Sequence, residues 1–236
     1  MISVKTNTMI LSKKTHEILK NFATINPNIC ITTGSKIVTL SPTKNIMAEA
    51  DVDEYFDHDV RIFDLNRFLS TVSLLQNPEL SFEDKHIIIG GISSTSSAKI
   101  KYWYSDPAIV QPVTKKLTMP NIVATLDFTA QRIAELLKAS AVMQLPNLKI
   151  RSKGDGAALA VLFDKNDPTS NEYTVELAAD FDEPFSVSLR VETIKLIPGD
   201  YTLEISKNIV SRFTHKTEAL KYFIAMDYKS GEDEQE

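Results

Sequence analysis

Around the predicted helix at 12–25, Leu11, Thr15, Ile18, Leu19, Phe22 and Ile25 recur at three- and four-residue spacing, which puts them on one face. Ser12 stands at the N-cap position, where a side-chain oxygen can accept from an orphan amide. The pattern returns at residues 129–142, with Thr129 as the cap and Ile133, Leu136, Leu137 and Ala141 as the apolar face. Asp64 caps a further predicted helix at 65–75, with Leu65, Phe68, Leu69 and Val72 turned inward. Its counterpart in the second half is short, about 191–196, and is stopped by Pro198-Gly199. Strands are predicted at 29–31, 36–40, 59–63, 80–82, 86–89 and 99–104, and again at 201–205, 209–213 and 219–227. The alternation in SFEDKHIII and YTLEIS fits sheets with one face in water. Gly90-Gly91 and Gly154-Asp155-Gly156 read as hairpin turns.

The two halves repeat one plan. EILK (Glu17 to Lys20) returns as ELLK (Glu135 to Lys138) at an offset of 118 residues. IKYWY (Ile100 to Tyr104) returns as LKYFI (Leu220 to Ile224) at an offset of 120, and NPELSFE matches PGDYTLE at 121. Three matches in the same order at nearly constant spacing indicate a duplicated unit. DPAIVQPVTKKLTMPN, between the halves, carries three prolines and little periodicity, and reads as an extended connector.

Composition narrows the function. The 236 residues include 43% hydrophobic ones, enough for real cores, with no apolar run long enough to span a membrane. The start MISVKTNTMILSKKT lacks the features of a signal peptide. Cys30 is the single cysteine, so no intramolecular disulfide forms; a buried thiol and a cytosolic setting are expected. The net charge of −5, part of it in the tail GEDEQE, disfavours binding a polyanion by bulk attraction. Such binding needs a local basic surface or a topological hold. The four histidines share no metal-ligand spacing, and no phosphate-binding loop or nucleophile elbow is present, so no enzyme and no cofactor is expected. The acidic run Asp51, Asp53, Asp57, His58 and Asp59 is the exception, since such density could hold magnesium for a metal-dependent nuclease. It fails the EF-hand pattern, with Phe56 at the glycine position and Ile62 at the twelfth, and an acidic loop before a strand is the simpler reading.

ILKNFATINPNI (18–29), AEAD (48–51) and DVRIFDLNRFLSTVSL (59–74) resemble the DNA polymerase sliding clamps of T-even-type bacteriophages. PGDY (198–201) and Trp103 with Asp106-Pro107 are fainter likenesses, and the match runs from about 9 to 228. The resemblance implies an α+β, duplicated two-domain clamp fold, with antiparallel sheets outside and two helices per domain facing a central hole. The domains would be 9–105 and 122–228, joined by a connector at 106–121, with an extension at 1–8 and an acidic tail at 229–236. Three copies would close head to tail into a ring around duplex DNA, held without sequence specificity. Edges would pair near 87–89 or 99–103 with a second-domain strand. The ring would tether the phage DNA polymerase, be loaded by a separate clamp-loader ATPase, and serve late-transcription factors, in the cytoplasm of the infected bacterial host.

The resemblance directs Lys13, Lys14, Lys20, Arg67, Arg132, Lys138 and Lys195 toward phosphates. Long cations suit contact without base readout, although Glu17 and Glu135 lie close enough to pair locally. It also implies a hydrophobic pocket for partner peptides, lined by Leu40, Ile109, Val110, Tyr222 and Met226. The competing readings are the nuclease and a duplicated interaction scaffold that never touches DNA.

Overall fold

In the computed structural model, which describes residues 8–94, 96–154, 156–207 and 209–230, helix α1 (Lys13–Ile25) starts at the cap expected for it. The Ser12 hydroxyl accepts the Thr15 N–H at 3.1 Å, and the buried stripe is Thr15, Ile18, Leu19, Phe22, Ala23 and Ile25. Extended Asn26, ahead of Pro27, ends the helix. The chain forms two compact units, residues 1–42 with 49–114, and 43–48 with 115–236.

In the first unit, β1 (Thr8–Met9), β6 (Gln76–Phe82), β7 (His86–Ser93) and β8 (Ser96–Trp103) form an antiparallel sheet in that order. The extension expected at 1–8 therefore contributes its last residue to a sheet; residues 1–7 lie outside the described residues. β2 (Ile29–Ile31) pairs with β5 (Val60–Ile62), and β3 (Gly34–Leu40) lies beside β4 (Ile46–Phe56). Helix α2 (Leu65–Val72) packs on α1; its Arg67 N–H is capped by Asp64 Oδ1 at 2.9 Å. It stops short of the expected residue 75, because Ser73 and Leu74 turn toward β6.

Two sequence expectations fail here. The acidic run is not a loop but the second half of β4 and the turn after it. Ala50, Val52, Glu54 and Phe56 face inward, while Asp51, Asp53 and Tyr55 face outward. Gly90-Gly91 is no turn either, since both residues sit inside β7, opposite the bulge between Gln76 and Glu79. A Cβ on Gly91 would stand 2.9 Å from both the Gln76 carbonyl oxygen and the Leu75 Cβ, so only glycine fits unshifted.

Among the described residues after 115, the second unit is built on nine strands: β9 (Ile122–Phe128), β10 (Asn147–Gly154), β11 (Ala157–Phe163), β12 (Tyr173–Phe181), β13 (Phe185–Arg190), β14 (Tyr201–Ser206), β15 (Val210–His215), β16 (Leu220–Ala225) and β17 (Asp227–Ser230). Their order is β17-β13-β10-β11-β12-β9-β14-β15-β16, with β9 taking up only Ala179–Phe181 of β12. Along Tyr173–Ala178, β12 pairs with β11 on one edge, and no described strand pairs with the other. Of the expected acidic tail, 229–230 belong to β17 and 231–236 lie outside the described residues.

Helix α3 (Ala130–Met143) is capped by Thr129, whose hydroxyl accepts the Arg132 N–H at 3.2 Å, and ends at left-handed Gln144. Its buried stripe is Ile133, Leu136 and Ser140. Ser140 replaces the expected Ala141, which is exposed, because the Ser140 hydroxyl donates to the Leu145 carbonyl at 2.6 Å. The second helix expected in this unit is a 3-10 turn, Val191–Thr193. Regular helix has little room before Pro198.

Candidate nucleic-acid interface

An α-helix turns about 100° per residue, so the buried stripes fix which cations face out. On α1, Lys13 and Lys20 lie opposite the stripe and are exposed; Lys14 lies on the flank and is half-buried. On α2, Arg67 is exposed opposite Leu65, Phe68, Leu69 and Val72. On α3, Lys138 points away from Ile133, Leu136 and Ser140, whereas Arg132 sits on the flank and is half-buried. Lys195 follows the 3-10 turn, half-buried, and its N–H donates to the Thr193 carbonyl at 2.9 Å. Lys13, Lys20, Arg67 and Lys138 have no ion-pair partner among the described residues. Arg132 does: its Nη1 meets Glu135 Oε2 at 2.6 Å, and the Tyr173 hydroxyl donates to Glu135 Oε1.

Glu54 is a buried structural carboxylate that the sequence did not reveal. It occupies an inward position of β4 and accepts the Ser12 N–H and the Thr15 hydroxyl, which fastens the strand to the start of α1. Negative charge at a helix N-terminus is also favoured by the helix dipole.

The expected peptide-pocket residues divide by exposure. Ile109 is 62% exposed and Leu40 half-buried, its carbonyl accepting from Asn26 Nδ2 at 2.8 Å. Val110, Tyr222 and Met226 are buried and present no open lining. Tyr222 is core because its ring packs edge-on against Tyr201 and its hydroxyl accepts the Ile197 N–H at 3.2 Å. Burial raises the Tyr222 phenol well above its ordinary value. Trp103, Asp106 and Pro107 line a cavity of about 530 Å³ with Asp59, Arg61 and Tyr104.

The acidic run does not assemble a metal site. Lys36 reaches Asp51 at 3.5 Å, Asp57 Oδ1 meets His58 Nδ1 at 2.7 Å, and Arg61 donates to Asp59 at 2.7 Å. Strand alternation keeps Glu54 on the opposite face. Among the described residues no group of three His, Cys, Asp or Glu side chains could hold a metal ion, so the nuclease reading loses its support. No described helix is long and apolar enough to cross a membrane.

The architecture is that of the duplicated α+β sliding clamps. It superposes on Proliferating Cellular Nuclear Antigen from Entamoeba histolytica with a TM-score of 0.66 at 10% identity, covering 90% of this chain and 94% of that one. A two-component complex of that antigen from Sulfolobus tokodaii gives the same score at 11% identity, covering 93% and 98%. Residues 12–101 match the family of DNA polymerase processivity factors. The sliding clamp of Vibrio phage KVP40 is 31% identical over 225 residues, covering 93% of this chain and 99% of its own. That of Enterobacteria phage T4 is 31% identical over 233 residues, covering 95% and 100%. The chain belongs to the sliding-clamp family of DNA polymerase processivity factors.

Proposed function

We propose that three copies of this chain close into a ring around duplex DNA and tether the replicative polymerase of a phage to its template. The observation that carries this reading is the placement of Lys13, Lys20, Arg67 and Lys138. The first unit turns Lys13, Lys20 and Arg67, and the second Lys138, outward from helices whose other faces are core; none of the four has an ion-pair partner among the described residues, in a chain of net charge −5. Local cations meet phosphates without reading bases. Retention comes from closure, so a negative net charge is no obstacle.

Two open sheet edges supply the contact between copies. β8 ends its sheet, with Ser97, Lys99, Lys101 and Trp103 exposed. The free edge of β12 exposes Thr174, Glu176 and Ala178, with Asp180 beyond. Pairing the two leaves neither edge open and brings Lys99 and Lys101 toward Asp180 and toward Glu176, which already holds Lys153. Such a contact is head to tail and must close to avoid fibres. Ile109 is the open apolar contact for partner peptides. The sequence carries no nucleotide-binding loop, and loading is assigned to a separate clamp-loader ATPase; the ring works in the cytoplasm of the infected bacterial host, where late-transcription factors use it as well.

Light scattering across a dilution series tests the ring. Three copies of the 26.4 kDa chain give about 79 kDa. Trp103→Ala, at the proposed edge, shifts the trimer toward monomer. A mass of 26.4 kDa at every concentration, with and without DNA, removes the ring.

A further inference from the structure

The cations on the helix faces are not equivalent. Arg132 alone among Lys13, Lys20, Arg67, Arg132 and Lys138 is held in an ion pair among the described residues, and a third group from another element secures that pair. Glu135 Oε2 takes Arg132 Nη1 at 2.6 Å, while Oε1 takes the hydroxyl of Tyr173, 38 residues away at the start of β12. The carboxylate cannot rotate toward solvent without breaking a bond anchored in the sheet. The Arg132 and Glu135 side chains keep 33% and 36% of their exposure. An ordinary i,i+3 pair on an open helix face is weak and exchanges readily for another partner. This one is withdrawn to the helix flank and braced from β12. The Tyr173 phenol keeps its proton the more firmly because the bond to Glu135 raises its pKa.

We propose that Tyr173 and Glu135 form a charge-compensating clasp that keeps Arg132 from binding phosphate, so that the ring holds duplex DNA loosely enough to slide. The inference rests on the reading of the helix faces as the DNA surface, and concerns how strongly that surface binds. Each cation that neutralises a phosphate releases counterions and steepens the salt dependence of binding. A ring retained by closure gains nothing from an extra contact and loses mobility.

The test uses the full chain and a short fluorescent duplex, with anisotropy titrations over a series of salt concentrations. Glu135→Gln frees Arg132, and the slope of log K against log salt steepens by about 0.9 for each subunit that gains a contact. Tyr173→Phe moves the slope the same way by less. Adding Arg132→Gln to Glu135→Gln returns it to the wild-type value. A purely structural role for Glu135 would lower the melting temperature and leave the slope alone. Should Glu135→Gln not fold, Tyr173→Phe carries the same comparison. A folded variant with an unchanged or shallower slope overturns the clasp. A Lys20→Glu, Lys138→Glu chain whose slope equals that of wild type removes the parent reading of the helix faces, and the clasp with it.

Discussion

The Glu54 carboxylate and the Thr15 hydroxyl form a buried hydrogen bond of 2.5 Å that joins the first turn of α1 to strand β4. Burial alone would raise the Glu54 carboxyl, but the bonds from Thr15 and Ser12 outweigh it and hold the group below its ordinary value of 4.5. A depressed folded value contributes stability that is complete above the unfolded value and lost as the pH falls through the folded one. Glu54→Gln therefore lowers stability at neutral pH by about 1.5–3 kcal/mol, the range for hydrogen bonds to a charged group. The gap from wild type narrows below pH 4.5. Urea unfolding at several pH values reads both; a gap that stays constant into acid shows that the charge contributes nothing.

Gly199 leaves room for one ring. A Cβ there would stand 2.1 Å from His215 Nε2. The imidazole cannot easily swing aside, because it packs T-shaped against the Tyr201 ring at 4.9 Å and its Nδ1 accepts the N–H groups of Thr217 and Glu218 at 3.2 and 3.1 Å. Gly199→Ala should cost about 1–3 kcal/mol, as overpacking does. Adding His215→Ala should recover part of the loss, a coupling that thermal melts of the four-member cycle would register. Strictly additive losses would mean that the two residues do not meet.

The same contrast between local and distant causes explains what could be read from the chain. Caps and helical stripes are local, so Ser12, Asp64 and Thr129 were legible together with the helices they start. β4 was not, because its outward face is acidic and Glu54 breaks its inward apolar alternation. That glutamate makes sense only once Ser12 and Thr15 are beside it. The strands between Asn147 and Arg190 escaped for a related reason, since β11 is nearly all apolar and has no period to detect. The outward lysines were legible from helical spacing. The restraint on Arg132 was not, because Tyr173 reaches Glu135 only through the fold.

The outward carboxylates of β4 offer a check on the nuclease alternative. Asp51 has a half-exposed Lys36 at 3.5 Å, the kind of surface pair worth about 0–1 kcal/mol. Asp51→Ala with Asp53→Ala should leave folding and polymerase processivity near wild type, in primer extension with a trap for dissociated polymerase. Loss of a magnesium-dependent cleavage activity in that variant would restore the enzyme reading.

Lys20 and Lys138 stand on helices of different units, both exposed and both opposite a buried stripe. Reversing them to glutamate should change stability little, since surface substitutions away from special features stay within about 0.5 kcal/mol. The 79 kDa mass expected of a trimer of 26.4 kDa chains should persist. Each reversal also removes a phosphate contact and adds repulsion, so duplex binding weakens and its salt slope falls by about 0.9 for each lost contact. Polymerase processivity falls with it, because a ring that repels its DNA is harder to close. A scaffold that never meets DNA predicts the opposite, an intact trimer with unaltered behaviour. The double variant therefore separates the two roles by comparing mass with salt slope in one preparation. An unchanged slope in an intact trimer would move the phosphate contacts away from these helix faces.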